Sequence, residues 1–125
     1  MKKLDCLIVD DDDCICELVT DLVLLANDEA TIKVVNCVRD AREALRERDF
    51  DLIFCDICMP GADGTELLSY VKGKGIKNCT FSFISGIDDD YFKGAEQWSK
   101  IVKADKFFSK PFNTKEIVEW IRKAA

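Results

Sequence analysis

Apolar positions along this chain alternate between two periods, and each switch marks a boundary. Leu4 to Val9 is the first strand candidate, and it runs straight into Asp10-Asp11-Asp12-Asp13. Beyond the acids, Ile15, Leu18, Val19, Leu22 and Leu25 recur at helical spacing, which predicts an amphipathic helix over 13–27 with acids at its positive end. Thr31 to Val38 is β-branched and strand-like, and Ala41, Ala44 and Leu45 mark a short charged helix near 40–48. Leu52-Ile53-Phe54-Cys55 is an unbroken apolar run, as a strand buried on both faces of a parallel sheet reads, so the third strand is placed at Asp51–Cys55.

Asp56 stands where that strand should emerge, and Met59-Pro60-Gly61 with Asp63-Gly64 is expected to turn the chain away. Thr65 to Lys72 carries Leu67, Leu68 and Val71, a third helix closed by Gly73 and Gly75. Cys79–Ser85 is the fourth strand, with Gly86 after it. Asp88-Asp89-Asp90 opens a helix whose Tyr91, Ala95, Trp98 and Val102 share a stripe. Lys106–Ser109 is the fifth strand, and Lys110-Pro111 breaks the chain. Asn113 with Glu116 is a helix start, and Ile117, Trp120 and Ile121 face the sheet.

The pattern is β-α repeated five times with short connections and no low-complexity segment. Such alternation builds an α/β fold, a doubly wound parallel sheet with helices on both faces. At 125 residues the chain is expected to be a single domain, 1–125.

Charge and composition narrow the function. Eighteen basic and 24 acidic residues give a net charge of −6, which disfavours direct binding of nucleic acid. No apolar run approaches the roughly 20 residues of a membrane span, and no secretory segment follows Met1, so a cytoplasmic location is expected. Seven cysteines, odd in number and irregularly spaced, are expected to be reduced thiols that pack as small core residues. The absence of histidine excludes His-ligated zinc and a histidine general base within the chain.

All strands of a parallel sheet present their carboxyl ends at one edge, and ligands bind there where the strand order reverses. That edge would receive Asp10 and Asp11 from the first strand, Asp56 from the third, Ser85 from the fourth and Lys110 from the fifth. Three converging carboxylates repel one another unless a cation lies between them. Oxygen ligands alone suit a hard ion, foremost Mg²⁺. A hydroxyl and an ammonium suit the oxygens of a phosphoryl group, and a carboxylate can attack phosphorus to form an acyl phosphate.

At these residues the sequence resembles the receiver domain of two-component response regulators, the fold shared with the bacterial chemotaxis response regulator. The motifs are the acidic pair in LIVDD, DICMPGADG, ISG and FFSKPF, in order over the whole chain. The resemblance implies a flavodoxin-like sheet of order 2-1-3-4-5 with five helices. It implies that Asp56 is the phosphoacceptor, charged in a Mg²⁺-dependent reaction by a histidine kinase or histidine phosphotransfer protein of a phosphorelay. Asp11 would ligate Mg²⁺ directly and Asp10 mainly through water, with Asp56 and the main-chain carbonyl of Cys58 as further ligands. Lys110 would contact the phosphoryl oxygens. Ser85 and the aromatic Phe107 would form the switch that alters the surface made by the fifth strand and the last two helices. Output would pass to a downstream protein target or to a further domain of a longer regulator.

Competing readings attach to several of these residues. Asp12 and Asp13 are read as helix-capping acids, and Asp88–Asp90 as a helix start rather than a second metal site. Cys55-x-x-Cys58 formally matches a redox dithiol, but it does not open a helix as such a site would. Cys14 and Cys16 are read as packing residues. The alternative function is an enzyme, an aspartyl-phosphate phosphohydrolase. Such enzymes usually carry a general acid two residues after the nucleophile, where this chain has Cys58, a poor proton donor.

Overall fold

The computed structural model describes residues 3–57, 59, 61, 63–85, 103–109 and 111–124. Five strands, β1 (Asp5–Val9), β2 (Thr31–Val35), β3 (Leu52–Asp56), β4 (Thr80–Ser85) and β5 (Lys106–Ser109), form one sheet of order β2-β1-β3-β4-β5. Every pairing is parallel. Four helices lie among the described residues: α1 (Asp13–Ala26), α2 (Val38–Glu47), α3 (Gly64–Gly73) and α4 (Thr114–Ala124). The fifth helix expected from Asp88 onward lies outside the described residues. None of the described helices is long and apolar enough to cross a membrane.

Strand side chains alternate between two apolar layers, as the two-residue period requires. Leu7, Val9, Ile53, Cys55, Phe81 and Phe83 pack against Ala41, Ala44, Leu67, Leu68 and Val71 of α2 and α3. Cys6, Ile8, Leu52, Phe54, Ile84 and Phe108 pack against Val19, Leu22, Val23, Ile117 and Ile121 of α1 and α4. Phe54 anchors the second layer, with its ring 5.9 Å from that of Trp120 and 6.3 Å from that of Phe108. Truncating a buried phenylalanine of this kind to alanine costs about 3–5 kcal/mol.

One strand end and the burial of one helical residue differ from expectation for identifiable reasons. The second strand stops at Val35, because Cys37 is the N-cap of α2 and its Sγ accepts the N–H of Asp40. Val38 is therefore the first residue of a helix. Leu25, placed on the buried stripe of the first helix, is 67% exposed, since that stripe is wider than the sheet face it covers. Asp12 does cap α1, accepting from the N–H groups of Cys14 and Ile15. Asn113 Oδ1 accepts the N–H of Glu116 at the start of α4.

At the amino ends of the strands, two aspartates set the register. Asp51 precedes β3 and exchanges bonds with β1: its Oδ2 accepts from Asp5 N at 2.9 Å, and its N–H donates to Asp5 O at 2.8 Å. Asp105 precedes β5 and treats β4 in the same way, accepting from Phe81 N at 2.7 Å and donating to Phe81 O at 2.8 Å. Each clamp uses one side-chain and one main-chain bond, so it fixes alignment as well as proximity.

Candidate functional site

Strand order reverses between β1 and β3: β2 is added on one side of β1, and the remaining strands continue on the other. That is where an open α/β sheet leaves a crevice at its carboxyl edge. Val9 is in register with Cys55, so Asp10 and Asp56 follow side by side at the rim. Asp56 is in register with Ile84, which places Ser85 one residue further along the adjacent strand end.

The carboxylates of Asp10, Asp11 and Asp56 converge, each offering an oxygen within 4.8 Å of the others. Asp10 is fully buried, Asp56 nearly so, and Asp11 exposed. Asp10 is fixed from several sides: its N–H donates to Val35 O at 3.1 Å, and its Oδ1 accepts the N–H of Asp12 at 2.9 Å. A groove of about 470 Å³ beside it adds Asp13, Asp40 and Glu43, with Lys33 as a cationic neighbour. The local field is strongly negative. An oxygen-only donor set at this spacing, one member open to solvent, fits a small hard cation and offers nothing to a soft one.

The floor beneath Asp56 depends on Gly64. An alanine methyl there would lie 2.2 Å from the main-chain oxygen of Asp56 and 3.0 Å from Cys55 Sγ. Gly64 N also donates to Ile57 O at 2.7 Å, pulling the start of α3 against the end of β3. Asp63, expected to be a turn residue, is the N-cap of α3 and accepts from the N–H and hydroxyl of Thr65. Gly64 is the first helical residue rather than part of a turn, so its lack of a side chain serves close approach.

Two buried thiols also touch this floor. Cys55 Sγ donates to the main-chain oxygen of Asp56 at 3.2 Å, and Cys16 Sγ to that of Asp10 at 3.4 Å. Burial, reinforced by Asp56, Asp10 and Asp63, pushes the Cys55 thiol well above the ordinary range. Burial and then the Asp10–Asp13 acids push that of Cys16 up to about 11. A thiol so raised is a poor nucleophile near neutral pH, which argues against a redox role for Cys55. Cys16 is a packing residue as expected, whereas Cys14 is exposed, because positions i and i+2 of a helix point to different sides.

Ser85 is buried, with 1% of its surface exposed. Phe107 is half-buried and packs against the layer beneath α2 and α3. The structure thus unites Asp10, Asp11 and Asp56 at one rim with Ser85 on the next strand end. Lys110, Cys58 and Gly86 lie outside the described residues. The sequence reading overlooked Gly64, which sits in an ordinary Asp-Gly pair, and the thiol contacts, which leave no spacing signal.

Comparisons with known proteins bear on the family and the fold. A family model described as "Response regulator receiver domain" matches residues 6–122. The probable transcriptional regulator ycf29 of Cyanophora paradoxa is 34% identical over 86 residues, which are 66% of this chain and 38% of that protein. The transcriptional regulatory protein ZraR of Klebsiella oxytoca is 37% identical over 71 residues, 57% of this chain and 16% of that protein. The chain therefore spans well under half the length of these relatives. Among solved structures, response regulator protein TrrA of Thermotoga maritima in complex with Mg²⁺-BeF is similar, with a TM-score of 0.78 and 26% identity. The match covers 99% of this chain and all of that one. A CheY-like receiver domain protein of Methanospirillum hungatei has a TM-score of 0.82 at 22% identity, covering 98% of this chain and 93% of that one.

Proposed function

We propose, for a chain that belongs to the response regulator receiver domain family, that Asp56 takes a phosphoryl group from a phosphohistidine of a partner protein. The observation that carries this reading is the convergence of Asp10, Asp11 and Asp56 at the strand-order reversal, with Ser85 on the adjoining strand end. A carboxylate oxygen of Asp56 attacks phosphorus and forms an O–P bond. The P–N bond breaks with its electron pair left on the ring nitrogen, which takes up a proton from solvent. The product is an acyl phosphate on Asp56 and a free histidine on the donor.

Asp11 would hold Mg²⁺ directly and Asp10 mainly through water, with Asp56 and the Cys58 carbonyl completing the protein ligands. When bound, Mg²⁺ supplies positive charge that offsets the charge on the transferring group. Lys110, the residue after Ser109 in the sequence, would do the same by contacting phosphoryl oxygens. This chain's carboxylates do the positioning: Asp10 is clamped by its own turn, and Asp56 is seated on the bare face of Gly64. Positioning of this kind provides much of the rate in phosphoryl transfer, because little covalent chemistry is asked of the protein.

The acyl phosphate is then read as a change of surface. Ser85 moves toward the phosphoryl oxygens, and the Phe107 ring turns into the space left behind. The surface affected is that of β5 and α4, where Lys106 pairs with Glu116 at 3.6 Å and lies 5.6 Å over the Phe108 ring. The donor is a histidine kinase or phosphotransfer protein, and the receiver of the signal is a protein surface or an attached domain. The chain serves as one receiver domain in the cytoplasm.

Incubation with a phosphohistidine-bearing donor domain tests the reading. Phosphoryl transfer should occur with Mg²⁺ present, cease on chelation, and be absent in Asp56→Asn. Transfer that survives chelation, or survives in the variant, would overturn it.

A further inference from the structure

Two of the buried cysteines share a hydrogen-bonding pattern. Cys16, in the first turn and a half of α1, donates its S–H to the main-chain oxygen of Asp10 at 3.4 Å. Cys55, in the fully buried strand β3, donates to the main-chain oxygen of Asp56 at 3.2 Å. These carbonyls belong to two of the three residues whose carboxylates converge. In an aspartate the carbonyl carbon and the side chain branch from one Cα, so fixing the carbonyl restrains the carboxylate. Both thiols are carried by elements locked into the apolar layers, Cys16 in the α1 layer and Cys55 in the opposite one. The site is thus gripped from both faces of the sheet. Phosphoryl transfer makes no use of either sulfur.

We infer that Cys16 and Cys55 are positioning residues, whose S–H groups hold the main chain of Asp10 and Asp56 so that the carboxylates keep their mutual placement for metal and phosphoryl group. The inference rests on the reading of Asp10 as metal-binding and Asp56 as phosphoacceptor. A plain space-filling role makes the opposite forecast for two substitutions of nearly equal size. If the cysteines only fill space, serine is no better than alanine, because a buried hydroxyl has a desolvation cost. If they act as donors, serine keeps the bond and alanine loses it.

The experiment uses the whole chain with Cys16→Ser, Cys16→Ala, Cys55→Ser and Cys55→Ala, Mg²⁺ as the metal and acetyl phosphate as the donor. Phosphorylation is followed by intact mass across a Mg²⁺ series, beside the thermal melt of each variant. Cys16→Ala should raise the half-saturating Mg²⁺ concentration on the order of tenfold, the usual penalty for losing a group that orients a metal ligand. Cys55→Ala should slow phosphorylation at saturating Mg²⁺ by about tenfold, since misplacing a reacting group acts on rate. Each serine variant should lie much closer to wild type than its alanine counterpart. Alanine variants that match wild type, or serine variants no better than alanine, overturn the inference. Should an alanine variant not fold, the serine variant decides: wild-type Mg²⁺ dependence and rate support the inference, and a tenfold loss overturns it. Wild type that takes up no phosphoryl group overturns the underlying reading instead, a result visible before any variant is made.

Discussion

Replacing Gly64 by alanine would bring a methyl group to 2.2 Å from the main-chain oxygen of Asp56, about 1.2 Å short of the 3.4 Å at which ordinary contact begins. The neighbour is backbone at the end of a fully buried strand, so no flexible side chain can swing aside. Strain of this kind costs about 1–3 kcal/mol. Alanine returns up to about 1 kcal/mol through its better helix propensity at the start of α3. The net loss of stability should therefore be modest, on the order of 1–2 kcal/mol, or roughly 4–8 °C in Tm for a domain of this size. The effect on chemistry should be much larger. Relieving the contact moves Asp56 by about 1 Å, and a misplacement of that size can reduce rate about 100-fold. Phosphorylation of Gly64→Ala by acetyl phosphate at saturating Mg²⁺, followed by intact mass, measures the effect against a thermal melt. Gly73→Ala is the control, because a methyl group there meets nothing within 4 Å. A folded Gly64→Ala protein phosphorylated within about twofold of wild type would refute the reasoning.

Three further outcomes are expected. Asp11→Ala should abolish most of the Mg²⁺-induced rise in Tm, because wild type gains stability through metal bound only to the folded state; an undiminished rise would place the ion elsewhere. Asp105→Ala leaves the Phe81 N–H without its 2.7 Å partner and should cost about 1–3 kcal/mol, with faster hydrogen exchange along β5 as the local readout. Stability should also fall as pH rises above 9. Burial, then Asp105 and Asp51, pushes the Cys79 thiol up to about 12, and burial raises Cys6 as well. Unfolded thiols lose protons near 9, so this contribution is fully present below that pH and disappears as pH climbs through the folded-state range. Denaturant titrations at pH 8 and pH 10.5 check the sign, and Cys79→Ala should flatten the loss.

The fold was legible because its signals are redundant. Leu52 to Cys55 can only be a two-faced buried strand in this context, and its in-register neighbours repeat the pattern on both sides. The site was legible because parallel strands bring their carboxyl ends to one rim, so Asp10 and Asp56 meet whatever the details of the loops. Features made by contact rather than by period were not legible. Cys37 caps α2 through a sulfur, and nothing in its spacing separates it from the strand before it. Gly64 reads as half of a turn pair, whereas its role comes from how closely α3 approaches β3. Leu25 carries the helical period yet is exposed, because periodicity shows which side of a helix is apolar but not how far the sheet extends beneath it. The Asp51 and Asp105 clamps join residues 46 and 24 positions apart, a separation no local pattern encodes.

The central claim is that Asp56 is the phosphoacceptor of a Mg²⁺-dependent switch. Its most direct test is to treat the protein with acetyl phosphate and Mg²⁺, trap the acyl phosphate by borohydride reduction, and locate the reduced residue by peptide mass spectrometry. The account predicts a single reduced position, Asp56, dependent on Mg²⁺ and missing from Asp56→Asn. Reduction at Asp10 or Asp11, or equal labelling of wild type and the variant, would contradict it.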